Sequence, residues 1–238
     1  MKILLLSDIH GNSPALEAVA AQTAGTVFDL ICNCGDSTVY APFPNETLDW
    51  LRRHHALSIL GNTDIKVLKL LKGETFKKPS TEEKRVMYTW TADHLTSGNK
   101  KFLKEFTKTL KLEVAGHRLG LFHGSPAHHN EFLFQETPIN RFHELAGKSD
   151  CGIVISGHSH SPYHKKVNHV HFINPGSVGR MFDGCPDSSY AVLELTAEGI
   201  RVEHFRCPYD IDRVISALKE NHLPSIYEKM YRLGRKLN

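Results

Sequence analysis

Lys2-Ile3-Leu4-Leu5-Leu6-Ser7-Asp8-Ile9-His10-Gly11-Asn12 opens the chain with an apolar run that stops at an acid, an imidazole and a glycine. A continuous apolar run, not an alternating one, is the pattern of a strand buried on both faces. Ser13 can cap a helix with Pro14 at its first position, and residues 15–24 continue it. Residues 28–34 form a second apolar run that ends at Gly35-Asp36. Residues 44–55 read as a helix, and residues 56–60 as a short strand ending at Gly61-Asn62-Thr63-Asp64. The order β-α-β-α-β predicts a mostly parallel sheet covered by helices.

Further along, residues 81–106 read as two polar helices with aromatics, among them Trp90, Phe102 and Phe106, which at helical spacing are core positions. Residues 110–115 and 118–122 read as strands joined at Gly116-His117, the second ending at His123-Gly124. A helix over 137–147 precedes a buried strand over 152–156 that ends at Gly157-His158-Ser159-His160. Strands follow over 163–167, 170–174, 189–195 and 200–205, and residues 211–237 read as two helices split near Leu223-Pro224. There is no internal repeat, low-complexity run or linker, so a single domain over 1–238 is expected, with the core in 1–207 and C-terminal helices in 208–238.

Five predicted strands are each followed by glycine and by side chains able to bind a metal: Asp8 and His10, Asp36, Asn62, His123, then His158 and His160. Ligands of open α/β sheets gather outside the carboxyl ends of the strands, so these residues are expected on one rim. Singly, each has an ordinary reading. Asp8 can serve a helix N-terminus, Asn62 after Gly61 is a common turn pair, and a lone histidine is more often structural. Their joint placement carries the inference. The set offers carboxylate, amide and imidazole donors with no thiolate, which suits two divalent ions (Mn, Fe, Zn, Ni or Co) and not a structural zinc cage. Two such ions, set against Asp8, Asp36 and a bridging hydroxide, leave about one positive charge, which favours an anionic substrate.

Composition agrees. The 238 residues are 40% hydrophobic and 23% charged, ordinary for a globular enzyme. The net charge of +3 is dispersed in pairs such as Lys100-Lys101, so stable nucleic-acid binding is not expected. Five cysteines without zinc-type spacing read as buried thiols. The apolar N-terminus is too short for a signal or a membrane span, and a cytoplasmic location is expected.

Asp8-x-His10, Gly35-Asp36, Gly61-Asn62-x-Asp64, His123-Gly124 and Gly157-His158-x-His160 resemble the ordered motifs of calcineurin-like metallophosphoesterases. Asn174-Pro175-Gly176-Ser177-Val178-Gly179 is similar to the glycine-rich turn of their small prokaryotic phosphodiesterase-type branch, and the tail looks like its longer members. The resemblance implies a four-layer α-β-β-α sandwich. It assigns one ion to Asp8, His10, Asp36 and His160, and the other to Asp36, Asn62, His123 and His158, with Asp36 shared. It also implies direct attack on phosphorus by a metal-bridging hydroxide.

The chain departs from the family at Thr63, where the common motif has a histidine that helps protonate the leaving group. A hydroxyl is too weak an acid for that role. A phosphodiesterase favouring good leaving groups is therefore expected, with Asn62, Thr63 and Asp64 at the catalytic position. Asp64, which in the family orients that histidine, is left to accept from a metal-bound imidazole. Asn12, His128 and Arg180 are the substrate-side candidates. Arg180 either clamps a phosphate oxygen or serves a structural ion pair, and His128-His129 either line the pocket or form a solvated loop pair. The alternatives are a phosphomonoesterase or dinucleoside polyphosphate hydrolase, a scaffold like the retromer-subunit branch, and a nuclease. The expected substrate is a small phosphoester or nucleotide-like compound. Monomer and homo-oligomer are both open.

Overall fold

Strand β1 (Lys2–Leu6) turns Ile3 and Leu5 to one side and Leu4 and Leu6 to the other, and all four side chains are buried. This is why its sequence does not alternate in polarity. The computed structural model describes residues 1–78 and 81–238. In it β1 is the middle strand of a five-stranded sheet ordered β10-β9-β1-β2-β3. The members are β2 (Leu30–Asn33), β3 (Leu57–Ser58), β9 (Ser188–Thr196) and β10 (Gly199–Cys207). β1, β2 and β3 run parallel, and β9 returns antiparallel to β1.

The second sheet is ordered β4-β5-β6-β8-β7 and comprises β4 (Thr109–Val114), β5 (His117–Phe122), β6 (Ile153–Ser156), β7 (Tyr163–Val167) and β8 (Val170–Asn174). Its centre, β5-β6-β8, is parallel. Ile3, Leu5 and Cys32 from the first sheet meet Leu121, Ile153 and Ile155 from the second in one apolar layer.

Helices close the two outer faces. Leu4 and Leu6 pack beneath a layer that includes α1 (Ser13–Gln22), α2 (Pro44–Arg53), α4 (Glu82–His94), α5 (Ser97–Glu105), α7 (Ile211–Glu220) and α8 (Ile226–Leu233). On the far side α6 (Ile139–Ser149) buries Phe142 and Leu145 against Val154 and Phe172. The result is the α-β-β-α sandwich that the family resemblance implies. No helix among the described residues is long and apolar enough to cross a membrane, and the five cysteines are free thiols.

Three local outcomes differ from the sequence reading. Strand β3 is shorter than 56–60, because Ile59 and Leu60 turn to a parallel bridge with Thr107. A helix not anticipated, α3 (Asn62–Leu70), starts at the third strand end. Its first turn is held by Asp64, whose carboxylate accepts the Gly61 N–H at 3.1 Å. Finally, Asn12 and not Ser13 caps α1, its Oδ1 accepting from Ala15 N at 3.1 Å.

Candidate metal centre

The rim holds two groups of donors. Asp8, His10 and His160 form one and Asp36, His123 and His158 the other, with the ligand atoms of each group within 4.8 Å of one another. Asp8 Oδ1 lies 3.2 Å from His160 Nε2 and 3.8 Å from His10 Nε2. Asp36 Oδ2 is 3.5 Å from His123 Nε2 and 4.0 Å from His10 Nε2, so one carboxylate faces both groups.

The tautomers are set from outside the cluster. His10 Nδ1 donates to Val39 O at 3.0 Å, His123 Nδ1 to Cys34 O at 2.8 Å, and His160 Nδ1 to Arg180 O. A carbonyl only accepts, so in the neutral ring each Nε2 turns a lone pair inward. His10 Nε2 and His160 Nε2 face each other at 3.2 Å. Asp8 Oδ1 is buried without a hydrogen-bond partner.

Asn62 adds to this concentration of acceptors. Its inward amide atom is 2.9 Å from His158 Nδ1, 3.0 Å from His123 Nε2 and 3.2 Å from Asp36 Oδ2. A protein without ions would turn the NH2 group inward to hydrogen-bond all three. A cation at that point would instead select the carbonyl oxygen. Seven nitrogen and oxygen donors with inward lone pairs fit borderline divalent ions.

Titration properties tell the same story. Burial raises the Asp36 carboxyl, but His123 outweighs it and holds the group well below the usual carboxylate range. Burial lowers His123, yet Asp36 lifts it to about 9, so a proton there stands in for a cation. Burial pushes His10 down to about 3. Burial, then the neighbouring His123, pushes His158 to about 4.

The rim is also where the backbone is strained. Asp8, His10, Asp36, His158 and His160 have φ of 51°, 54°, 53°, 65° and 56°, in the left-handed region that costs non-glycine residues about 1–3 kcal/mol each. Hydrogen bonds between loops hold them there: Asp8 N to Gly35 O at 2.9 Å, His10 N to Asp36 O at 2.9 Å and His158 N to Asp8 Oδ2 at 2.9 Å. The loops approach so closely that a Cβ on Gly61 would lie 2.0 Å from Asp36 Oδ1, and one on Gly157 would lie 1.9 Å from Ser7 Oγ.

Residues 1–198 match the calcineurin-like phosphoesterase superfamily domain. The chain belongs to that superfamily. An uncharacterized protein of Methanocaldococcus jannaschii is 27% identical over 250 aligned positions, 98% of each chain. A crystal structure of a metallophosphoesterase from Sphaerobacter thermophilus aligns with a TM-score of 0.81 at 25% identity, over 98% of this chain and 99% of that one. A hypothetical protein from Pyrococcus horikoshii aligns at 0.88 with 16% identity, over 99% of both, and shares the fold.

In this phosphoesterase a cavity of about 650 Å³ opens onto the metal rim. His10, Asp36, Asn62, Thr63, His158 and His160 line it. Arg180 lines it too and makes no ion pair among the described residues.

Three expectations need correction. Asn12 is engaged by the cap of α1 and donates to Gly179 O at 2.9 Å, so its fully buried side chain holds a turn and faces no cavity. His128 is exposed and is not among the cavity's lining residues; its backbone serves the loop, the carbonyl accepting from Ser125 N and Glu131 N and the N–H donating to Ser125 Oγ. Asp64 meets no imidazole. It accepts from Ser37 N, Thr38 Oγ1 and Gly61 N, tying the Asp36 loop to the start of α3.

The sequence reading also passed over functional positions. Phe132 stacks on His158 with ring centroids 4.1 Å apart, and Phe182 on His160 at 4.4 Å, so each group of ligands carries an aromatic plate. Lys66 reaches the same cavity one turn after Thr63. Only its i+3 spacing from Thr63 could have revealed it, and only once α3 was recognised. Tyr40, Lys84 and Lys236 line the cavity from three separate segments and leave no local signature.

Proposed function

We propose that the chain is a two-metal phosphodiesterase acting on small phosphoesters whose leaving groups depart without a proton from the enzyme. The observation that supports this most is the pairing of seven inward donors, shared through Asp36, with a threonine where a proton donor would stand. Asp8, His10, Asp36 and His160 would hold one ion, and Asp36, Asn62, His123 and His158 the other. When bound, two divalent ions supply Lewis acidity at a phosphoryl oxygen and a water of lowered pKa.

The chain's own groups then position the phosphate. Arg180, 7% exposed and with an unpartnered Nε, presents donors into the cavity. Lys66 Nζ lies 3.0 Å from the outer atom of the Asn62 amide. A cation held by the amide oxygen would turn the NH2 toward the ammonium and free Lys66 for an anion. Thr63 is 2% exposed, and its Oγ1 has no partner. A hydroxyl there orients an oxygen at most; it does not deliver a proton near neutral pH.

The test is hydrolysis of bis(p-nitrophenyl) phosphate against p-nitrophenyl phosphate by metal-depleted protein reloaded with Mn²⁺, with Asp36→Asn as the blank. Diester cleavage well above monoester, lost in the blank, is expected. Monoester cleavage at an equal or higher rate would overturn the diesterase preference and favour the phosphomonoesterase. Silence without stoichiometric metal would point to the scaffold.

A further inference from the structure

The outer end of the cavity carries positive charge that the metal centre does not use. Lys84 from α4, Arg180 after the glycine-rich turn and Lys236 beyond α8 line it together. Among the described residues none of the three forms an ion pair, and Asp36, already facing both metal groups, is the one acid lining the cavity. Burial pushes the Lys84 ammonium down, and Lys236 and Arg180 push it further against a smaller opposing pull from Glu83, so Lys84 feels both other cations.

Arg180 is the built part of this cluster. Its guanidinium carbon sits 3.9 Å from the Tyr40 ring centre, with Phe182 at 5.2 Å and Tyr227 at 5.3 Å. Three rings fix its plane. Its hydrogen-bond acceptor is a poor one, Met230 Sδ at 3.4 Å, and Nε has no acceptor at all. A guanidinium has five N–H donors, so most of them are unclaimed in a nearly closed site. Such a group is costly to bury unless an anion completes it.

Its distance from the chemistry limits what that anion can be. The Tyr40 ring that supports Arg180 also lies 5.3 Å from the ring of His10, a metal-ligand candidate. Arg180 is therefore one aromatic ring away from the rim. That is the separation of neighbouring groups within one small molecule, not of two independent ligands.

We propose that Arg180, Lys84 and Lys236 form a second anion subsite, so that the substrate carries two or more linked phosphoryl groups, one at the metal rim and the next on this cluster. This rests on the reading of the rim as a phosphoester site. A cavity of about 650 Å³ has room for such a compound with an organic group attached.

The test is calorimetric titration of the Mn²⁺-loaded protein with methylphosphonate and with methylenebisphosphonate, which differ by one phosphonate group. The bisphosphonate should bind about tenfold tighter or more, since a second charge-assisted site adds upwards of ~1.4 kcal/mol. In Lys84→Ala/Lys236→Ala that advantage should fall to threefold or less, about the statistical gain of a second equivalent group. Both lysines sit at the surface end of the cavity, and an unchanged melting temperature shows the fold intact. Lys100→Ala/Lys101→Ala, the same charge loss on α5 outside the cavity, should keep the advantage. An advantage that survives Lys84→Ala/Lys236→Ala overturns the subsite. So does an equal loss in the α5 variant, or a wild type that does not bind the bisphosphonate. Methylphosphonate binding that Asp36→Asn leaves unchanged overturns the metal reading instead.

Discussion

The metal rim and the outer wall of the cavity enclose the same space, yet they are built in opposite ways. The rim is assembled from strand ends: seven donors, five of them in left-handed backbone, locked by bonds between loops and almost wholly buried. The outer wall comes from helices and the tail: Lys66 on α3, Lys84 on α4, Lys236 past α8, and Arg180 on a bed of rings. The rim stores strain and has little freedom. Arg180 apart, the wall is made of long side chains that can move by rotamer changes alone. The comparison separates two tasks: the rim sets the chemistry, and the wall selects the compound. Substitutions in the rim should therefore cost activity and stability outright, and those in the wall should trade one substrate for another.

The sharpest way to break that division is Asp36→Asn. Its carboxylate faces both donor groups and accepts the Thr63 N–H at 2.7 Å. Stoichiometric metal should be lost by elemental analysis, and diester hydrolysis should fall by at least the ~10³-fold that one pre-organised electrostatic group is worth. Retention of both metals would mean that the two groups are independent.

Gly61→Ala asks whether the rim is as rigid as its contacts imply. Gly61 has φ of −89°, which alanine adopts freely, so only the added Cβ matters. That carbon would meet Asp36 Oδ1 at 2.0 Å and Asp36 N at 2.2 Å. Overpacking of this kind costs about 1–3 kcal/mol. A melting temperature lower by several degrees, with weaker metal binding, is expected. An unchanged melting temperature would show a rim that yields.

The same division explains what was legible in the sequence. Each rim donor lies just past an apolar run and within three positions of a glycine, a pattern of local sequence, and all seven meet. The fold was legible for the same reason, since runs such as Ile3-Leu4-Leu5-Leu6 and Ile153-Val154-Ile155 can only be strands covered on both faces. Helix α3 was hidden because Gly61-Asn62 looks like a turn, and its cap comes from Asp64 inside the helix. Asn12 and His128 were misread because a polar residue near a glycine loop serves a cap or a surface as readily as a ligand. The wall was illegible in principle. Lys84, Arg180 and Lys236 are ordinary until the chain brings them together.

Thr63→His sharpens the comparison from the chemical side. Thr63 lines the cavity and is 2% exposed, so a larger ring there can extend only toward the cavity. General acid help is typically worth ~10²–10⁴-fold, but Asp64 is already engaged by Ser37, Thr38 and Gly61 and is not free to orient the new ring. A gain of about tenfold on alkyl phosphodiesters is expected, at the low end of that scale, with little change for p-nitrophenyl esters. No gain at full metal content would count against Thr63 as the reason for the leaving-group preference.

The smallest effect expected is on stability, and it belongs to the rim alone. In metal-free protein His10 and His158 are held to about 3 and about 4 by burial. Unfolded imidazoles take a proton at ~6.5, so between that value and the folded ones only the unfolded chain binds it, and stability falls as pH falls. His123 runs the other way. Asp36 lifts it to about 9 against the effect of burial, so its contribution is complete below ~6.5 and is lost as pH rises through about 9. The melting temperature of EDTA-treated protein should thus peak near neutrality and drop by a few degrees on each side, between pH ~4.5 and ~9.5. Bound ions replace the proton on His123, so loading with Mn²⁺ should abolish the alkaline decline. If that decline persists in metal-loaded protein, His123 is not a ligand, and the half of the rim built on Asp36, Asn62 and His158 must be reassigned.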